Sequence, residues 1–156
     1  KKMSKVIIKS FEELEKLIGQ ELGISEYHEF TQAQINLFAD ATLDHQWIHV
    51  DEAKAKSESP FGNTIAHGYL TLSILPHLWE QIVEVQNLKL QVNYGIEKFK
   101  FNQPVLVNSR VRLKAKVINA VNLRGVTKAN IGVTLEIEGN KKPAYEGEIV
   151  FLYHFI

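Results

Sequence analysis

The 156-residue chain contains no cysteine. That excludes disulfide staples, thiolate metal sites, iron–sulfur ligation and cysteine nucleophiles together, and it leaves the redox compartment unreadable. Excess charge is missing too: eighteen Lys and Arg balance eighteen Asp and Glu. No apolar run approaches the roughly eighteen residues of a membrane span, and Lys1 to Ser10 lack the long apolar core of a signal peptide. A cytoplasmic protein with no membrane partner is the expectation. The sequence also has no Gly-x-Ser-x-Gly elbow, no phosphate loop and no dinucleotide fingerprint, which argues against serine hydrolases and nucleotide-dependent enzymes. No nucleic-acid-binding motif or aromatic-basic stacking run is found, so nucleic acid is not an expected partner.

What is present reads as an ordinary globular protein, with 45% hydrophobic, 10% aromatic and 23% charged residues. A chain of this length can bury roughly two thirds of its unfolded surface without metal or disulfide support. One domain over residues 1–156 is expected, with an N-terminal helix at about 11–19 as an extension. The charge is unevenly spread: residues 1–88 hold seven basic and thirteen acidic residues, and 89–156 hold eleven and five. Arg110, Arg112, Lys114 and Lys116 either line the solvated face of a strand or draw in a phosphate-bearing ligand such as coenzyme A.

Hydrophobic spacing divides the chain in two. From Ser10 to about Val85 apolar residues recur at helical intervals, and from Leu88 onward they alternate as in strands. Ser10 with Glu13 and Thr31 with Gln34 match capping boxes, which predicts helices beginning at Phe11 and Gln32, the second ending near Thr42. Glu26 to Phe30 reads as a short strand. Asp51 is placed to cap a helix over Glu52 to Lys56, followed by a turn at Ser59-Pro60-Phe61-Gly62. Ala66 to about Val83 is apolar on nearly every side, which predicts an enclosed helix, kinked or broken at Pro76.

In the second half, Val111, Leu113, Ala115, Val117 and Val121 form one alternating set, Ile131 to Ile137 a second, and Tyr145 to Tyr153 a third, each with one dry face. In the strand before them the apolar parity runs from Leu88 to Ile96 and then switches to Phe99 and Phe101, which predicts a bulge at Gly95. Short connections at Gly125 and Gly139-Asn140 suit antiparallel neighbours. The arrangement that satisfies both halves is α+β: an antiparallel sheet curled around the apolar helix.

Chemistry concentrates in Asp44-His-Gln-Trp-Ile-His49 and, about twenty residues later, Ala66-His67-Gly68. A carboxylate and an imidazole can share proton transfers on one substrate, and a helix start can hold a developing negative oxygen. Asp44 and His49 lie about 140° apart on a regular helix, so only an irregular loop, anchored by Trp47 and Ile48, would bring them together. His45 and His49 have the i, i+4 spacing of zinc helices but lack the intervening glutamate and a third ligand, so no metal is expected. His67 is open to a structural or a catalytic role. Ser73, inside the helix, either bonds back to a carbonyl one turn earlier or serves the site.

Taken together, Phe30-Thr-x-x-x-Ile35, Phe38-Ala39, Asp44-x-Gln46-Trp47-Ile48-His49-x-Asp51, Ser59-Pro60-Phe61-Gly62, Ile65-Ala66-His67-Gly68 and Asn93-Tyr94-Gly95 resemble the MaoC-like dehydratase family. More closely, they resemble its nodulation-protein-N-type branch of (R)-specific enoyl-CoA hydratases. The resemblance spans about residues 25–155. It implies a hot-dog fold, an antiparallel sheet wrapped around a long central helix, and usually a homodimer with the sheets joined edge to edge. It implies reversible hydration of trans-2-enoyl thioesters of coenzyme A or acyl carrier protein, with no cofactor. It places catalytic roles on Asp44 and His49, an oxyanion-binding N–H on Gly68 and a supporting hydroxyl on Ser73. Gln46 and Trp47 stand where the family motif has Asn and Pro, and Leu43 stands where a glycine often precedes the aspartate. Two other readings accompany this one: an acyl-CoA thioesterase, since the same fold hosts both chemistries, or a non-catalytic acyl-thioester-binding subunit.

Overall fold

The chain runs β1 (Val6–Ile8), α1 (Phe11–Glu15), β2 (Glu21–Ile24), β3 (His28–Glu29), α2 (Gln32–Thr42), α3 (Trp47–Val50), α4 (Glu52–Glu58), α5 (Gly68–Ser73), α6 (Leu75–Ile82), β4 (Val83–Val85), β5 (Leu88–Phe101), β6 (Arg110–Leu123), β7 (Val126–Ile137) and β8 (Tyr145–Phe155). The computed structural model describes residues 4–156, so Lys1 to Met3, which open the Lys1–Ser10 segment read above, lie outside the described residues. One six-stranded antiparallel sheet has the order β2–β6–β7–β8–β5, with β3 also paired to β6. A separate parallel pair joins β1 to β4.

The helix starts fall where the capping residues put them. Ser10 and Thr31 side chains accept from the Glu13 and Gln34 N–H groups at 3.2 Å each, while the reciprocal halves of the boxes go elsewhere. Glu13 takes the Lys9 N–H and Gln34 takes a ring nitrogen of His28. α1 stops at Glu15 rather than near residue 19. Leu17 and Ile18 N–H groups bond three residues back, to Leu14 and Glu15, so the helix tightens into turns.

The central helix is broken as Pro76 requires, into α5 and α6 joined at Ile74, whose backbone stays helical at φ −74° and ψ −12°. Pro76 has no N–H to offer the Leu72 carbonyl. The Tyr145 hydroxyl supports the break by donating to the Thr71 carbonyl at 3.2 Å. Leu70, Leu75, Leu78, Trp79 and Ile82 are buried against the sheet, and the Trp79 indole N–H donates to the Tyr153 hydroxyl at 3.0 Å. Enclosure is incomplete, because Tyr69 is 72% exposed. Around this helix β6, β7 and β8 turn inward Val111, Leu113, Ala115, Val117, Ile131, Val133, Leu135, Ile137, Ile149, Phe151 and Tyr153. Each such side chain contributes roughly 1.5–3 kcal/mol by leaving water. This is the α+β hot-dog arrangement.

Two expectations of alternation fail, both at irregular register. Val121 is exposed and Ala120 is buried instead, since the β6–β7 register shifts between Val117 and Asn119. The bulge at Gly95 exists, between Asn93 and Gly95, but it does not make the switch from Ile96 to Phe99. A second bulge between Glu97 and Lys100 does, with Lys98 at φ +48°. Gly147 opposite makes room for it: a Cβ there would lie 2.6 Å from the Phe99 Cα. A third shift follows Leu88, and because β5 is the sheet edge its apolar residues Leu90, Val92, Tyr94 and Ile96 are exposed.

The basic residues of β6 form an outer-face ladder. Arg110 pairs with Glu138 at 3.1 Å, Arg112 with Glu136 at 2.9 Å and Lys114 with Glu21 at 3.6 Å. Tyr27 lies beneath both guanidinium groups. These three cations are answered by carboxylates of the sheet itself, which favours the solvated-face reading.

Candidate active site

α2 ends on Leu43, which caps the helix in the left-handed region at φ +65° and ψ 19°. That residue reverses the chain, and Asp44 follows in an exposed loop with its carboxylate oxygen accepting the Gln46 N–H at 3.4 Å. The single turn α3 then carries His49 inward, where it is 6% exposed.

Polar links hold this loop, not apolar anchors. Trp47 and Ile48 stay only half-buried, the Trp47 ring lying under the Lys54 ammonium. The Ile65 N–H donates to the Ile48 carbonyl at 3.0 Å, and the His49 Nδ1 bonds the Ile65 carbonyl at 2.8 Å. Gln32, at the start of α2, donates to the His49 carbonyl at 2.8 Å and accepts the Thr64 hydroxyl at 2.6 Å. Residues 64 and 66 are tied in turn to Val107 and Val105.

A carbonyl can only accept, so the bond to Ile65 places the His49 proton on Nδ1 and leaves Nε2 with its lone pair free. Burial holds the His49 pKa below the ordinary imidazole value; the Ile65 bond opposes this, the neighbouring His67 adds to it, and Asp44 opposes it weakly. Neutral His49 is the form equipped to take a proton.

His67 lies flat on His49, ring centroids 3.9 Å apart and planes 22° apart. It is 2% exposed, and its Nε2 bonds the backbone carbonyl of Asp44 at 3.0 Å. Its Nδ1 is buried without a partner among the described residues. One ligand atom each from Asp44, His49 and His67 lie within 4.8 Å of one another. The ring lone pairs of two near-parallel, stacked imidazoles lie in separate planes and do not converge on one ion. His45, the other half of the i, i+4 pair, turns away to Asp40 at 2.9 Å.

The start of α5 faces the same place. Leu70 and Thr71 N–H groups bond the His67 carbonyl, whereas the N–H groups of Gly68 and Tyr69 have no partner among the described residues. His49, Gly68, Thr71, Phe101 and Asn102 line a pocket of about 280 Å³. The Phe101 ring sits so close that a Cβ on Gly68 would meet it at 3.3 Å. His49 and Gly68 share this pocket; Asp44 does not line it and meets His49 through a carboxylate oxygen within 4.8 Å of a ring nitrogen. Ser73 is not among them: its hydroxyl donates to the Tyr69 carbonyl at 2.6 Å, and it lines a separate groove of about 270 Å³ with Pro76, Asn93, Ile96 and Ile149. The helix hydroxyl in the His49 pocket is Thr71, buried and donating to the Gly68 carbonyl at 2.6 Å. Sequence reasoning passed over Thr71, though three residues after Gly68 is one helical turn. It also passed over Gln32, for which no local signal exists.

Residues 13–139 match the family described as the MaoC-like domain. A 3-hydroxyacyl-thioester dehydratase Z of Mycobacterium tuberculosis is 46% identical over 136 residues, covering 86% of this chain and 89% of that protein. Nodulation protein N of Rhizobium meliloti is 40% identical over 149 residues, covering 94% and 92%. The solved (R)-hydratase from A. caviae involved in PHA biosynthesis superposes with a TM-score of 0.70 at 25% identity, covering 86% of this chain and 94% of that one.

Proposed function

We propose that this chain, which belongs to the MaoC-like dehydratase family, is a hydro-lyase that adds water reversibly to trans-2-enoyl thioesters of coenzyme A or acyl carrier protein, giving (R)-3-hydroxyacyl thioesters. The observation that carries the reading is that a carboxylate oxygen of Asp44 lies within 4.8 Å of a ring nitrogen of His49, whose Nε2 lone pair is free, while His49 lines one pocket with Gly68, whose N–H has no partner among the described residues. The names of the relatives and of the A. caviae structure support the substrate class.

Water sits between the pair. His49 Nε2 accepts one proton of the water as its oxygen bonds to C3, and that proton passes by way of the Asp44 carboxylate to C2, so both groups end as they began. Negative charge gathers on the thioester oxygen during attack, and the Gly68 N–H stabilises it by about 3 kcal/mol. Ser73, on the separate groove, orients the acyl chain rather than the pair.

The working unit in this reading is a homodimer joined along β5. The β5 edge, with Leu90, Val92, Tyr94 and Ile96 between 41% and 60% exposed, offers an apolar margin that a second copy would cover. Its mass in solution tests this, with a monomer as the contrary result.

Purified protein incubated with crotonyl-CoA tests the chemistry. Loss of the conjugated enoyl absorbance with formation of the (R)-3-hydroxy product is the expected result. Release of free thiol without hydration would make it a thioesterase, and saturable binding without turnover would make it an acyl-thioester-binding subunit.

A further inference from the structure

The proton-transfer pair rests on a residue that neither its own pattern nor the resemblance assigns. His67 touches both partners from opposite sides: its Nε2 bonds the main-chain carbonyl of Asp44 at 3.0 Å, and its ring covers His49 at 3.9 Å. Because the acceptor is a carbonyl, Nε2 must carry the proton, so Nδ1 bears a lone pair. That lone pair is buried without a donor among the described residues. A buried acceptor left unmet destabilises the fold and calls for a reason other than packing. Phe38, whose ring centroid is 4.9 Å away, would accept an apolar ring in its place equally well.

We propose that His67 is the positioning residue of the site: its N–H fixes the loop that presents Asp44, and its ring sets the plane of His49. The inference rests on the hydro-lyase reading above. The titratable groups facing His67 are Asp44 from the loop after α2 and His49 from α3; Asp40 and His45 are occupied with each other.

Three variants separate positioning from structural support. His67→Phe keeps a flat ring on His49, removes the N–H to Asp44 and also removes the unmet lone pair. His67→Gln keeps an N–H donor and gives up the ring. His67→Ala keeps neither. With crotonyl-CoA as the probe, His67→Phe is expected to lose between about ten- and a hundredfold in kcat with KM little changed, while melting at or above the wild-type temperature. His67→Gln is expected to recover part of that kcat despite lower stability. The acid limb of kcat/KM in His67→Phe should move to higher pH, since a neighbouring imidazole no longer opposes protonation of His49. Wild-type kcat in His67→Phe, or kcat that follows melting temperature across the three, overturns the proposal. So does failure of both the Phe and Gln variants to fold, which would make His67 a structural residue. A wild-type protein that hydrates no enoyl thioester would instead overturn the parent reading.

Discussion

Residues 110–155 and residues 43–73 of this chain are held in place by different forces. In the sheet, inward side chains are apolar, backbone groups meet in ladders, and the charges stand outside in pairs such as Arg112 with Glu136. In the loop and helix start, buried residues include His49, Thr64, His67 and Thr71, and what locks them is a set of carbonyls and amides. The first region is built by area removed from water, which tolerates small shifts. The second is built by directional bonds, which do not. A wall and the proposed reaction centre have been made from the same chain by that division.

The comparison breaks most visibly at the reacting groups. Asp44→Asn and His49→Gln are each expected to lower kcat with crotonyl-CoA by about a hundredfold to ten-thousandfold, with an unchanged circular dichroism spectrum. Asp44 is exposed and His49 keeps a donor option in Gln, so neither change empties the core. Variants that remain fully active would remove both residues from the chemistry.

A paired measurement sharpens it. Leu113→Ala hollows the sheet core and should cost about 2–5 kcal/mol of stability, yet leave kcat per folded molecule near wild type. Gln32→Ala should cost less, about 1–3 kcal/mol for the hydrogen bonds left open at His49 and Thr64, yet lower kcat more. Denaturant melts read beside initial rates decide it; the division of labour fails if the two variants trade places.

These two regions were also unequally legible. Alternation exposed the sheet, because period two with one dry face states both strand and orientation. Where it misled, at Val121 and at the 96-to-99 switch, the cause was a bulge, and bulges depend on the partner strand: the room for Lys98 and Phe99 comes from Gly147, half a sheet away in sequence. Capping residues located α1, α2 and α4 because the bond is local. The site was legible only as a set of residue types. That Asp44 comes within 4.8 Å of His49 depends on Gln32, Ile65 and His67, contacts spanning 16 to 23 residues that no window of sequence displays.

Acidity gives a smaller effect with a definite sign. Burial lowers the folded pKa of His49 below 6.5, its value when unfolded. Between those two values the unfolded chain takes up a proton that the folded chain refuses, so stability falls as pH drops below about 6.5 and levels off beneath the folded pKa. The base form also persists there. The acid limb of kcat/KM should therefore lie below 6.5, and a limb above it would mean that the Asp44 charge outweighs burial.

The smallest change bears on the joint between the two regions. Leu43 holds a left-handed conformation and is 80% exposed, so its side chain packs against little while its backbone carries strain. For an L-residue that conformation costs about 1–2 kcal/mol, and glycine would escape it at an entropic cost of about 0.5–1 kcal/mol. Leu43→Gly should thus be neutral to stabilising by up to about 1 kcal/mol by the same principles. Its effect on turnover is the informative part. If the hydrogen bond from His67 and the clasp at Ile65 position Asp44, relaxing the residue before it leaves kcat within about twofold, because directional bonds downstream still define the loop. A larger loss, measured against crotonyl-CoA in a variant that melts no earlier, would move the positioning of Asp44 from those bonds to the rigidity of the turn itself.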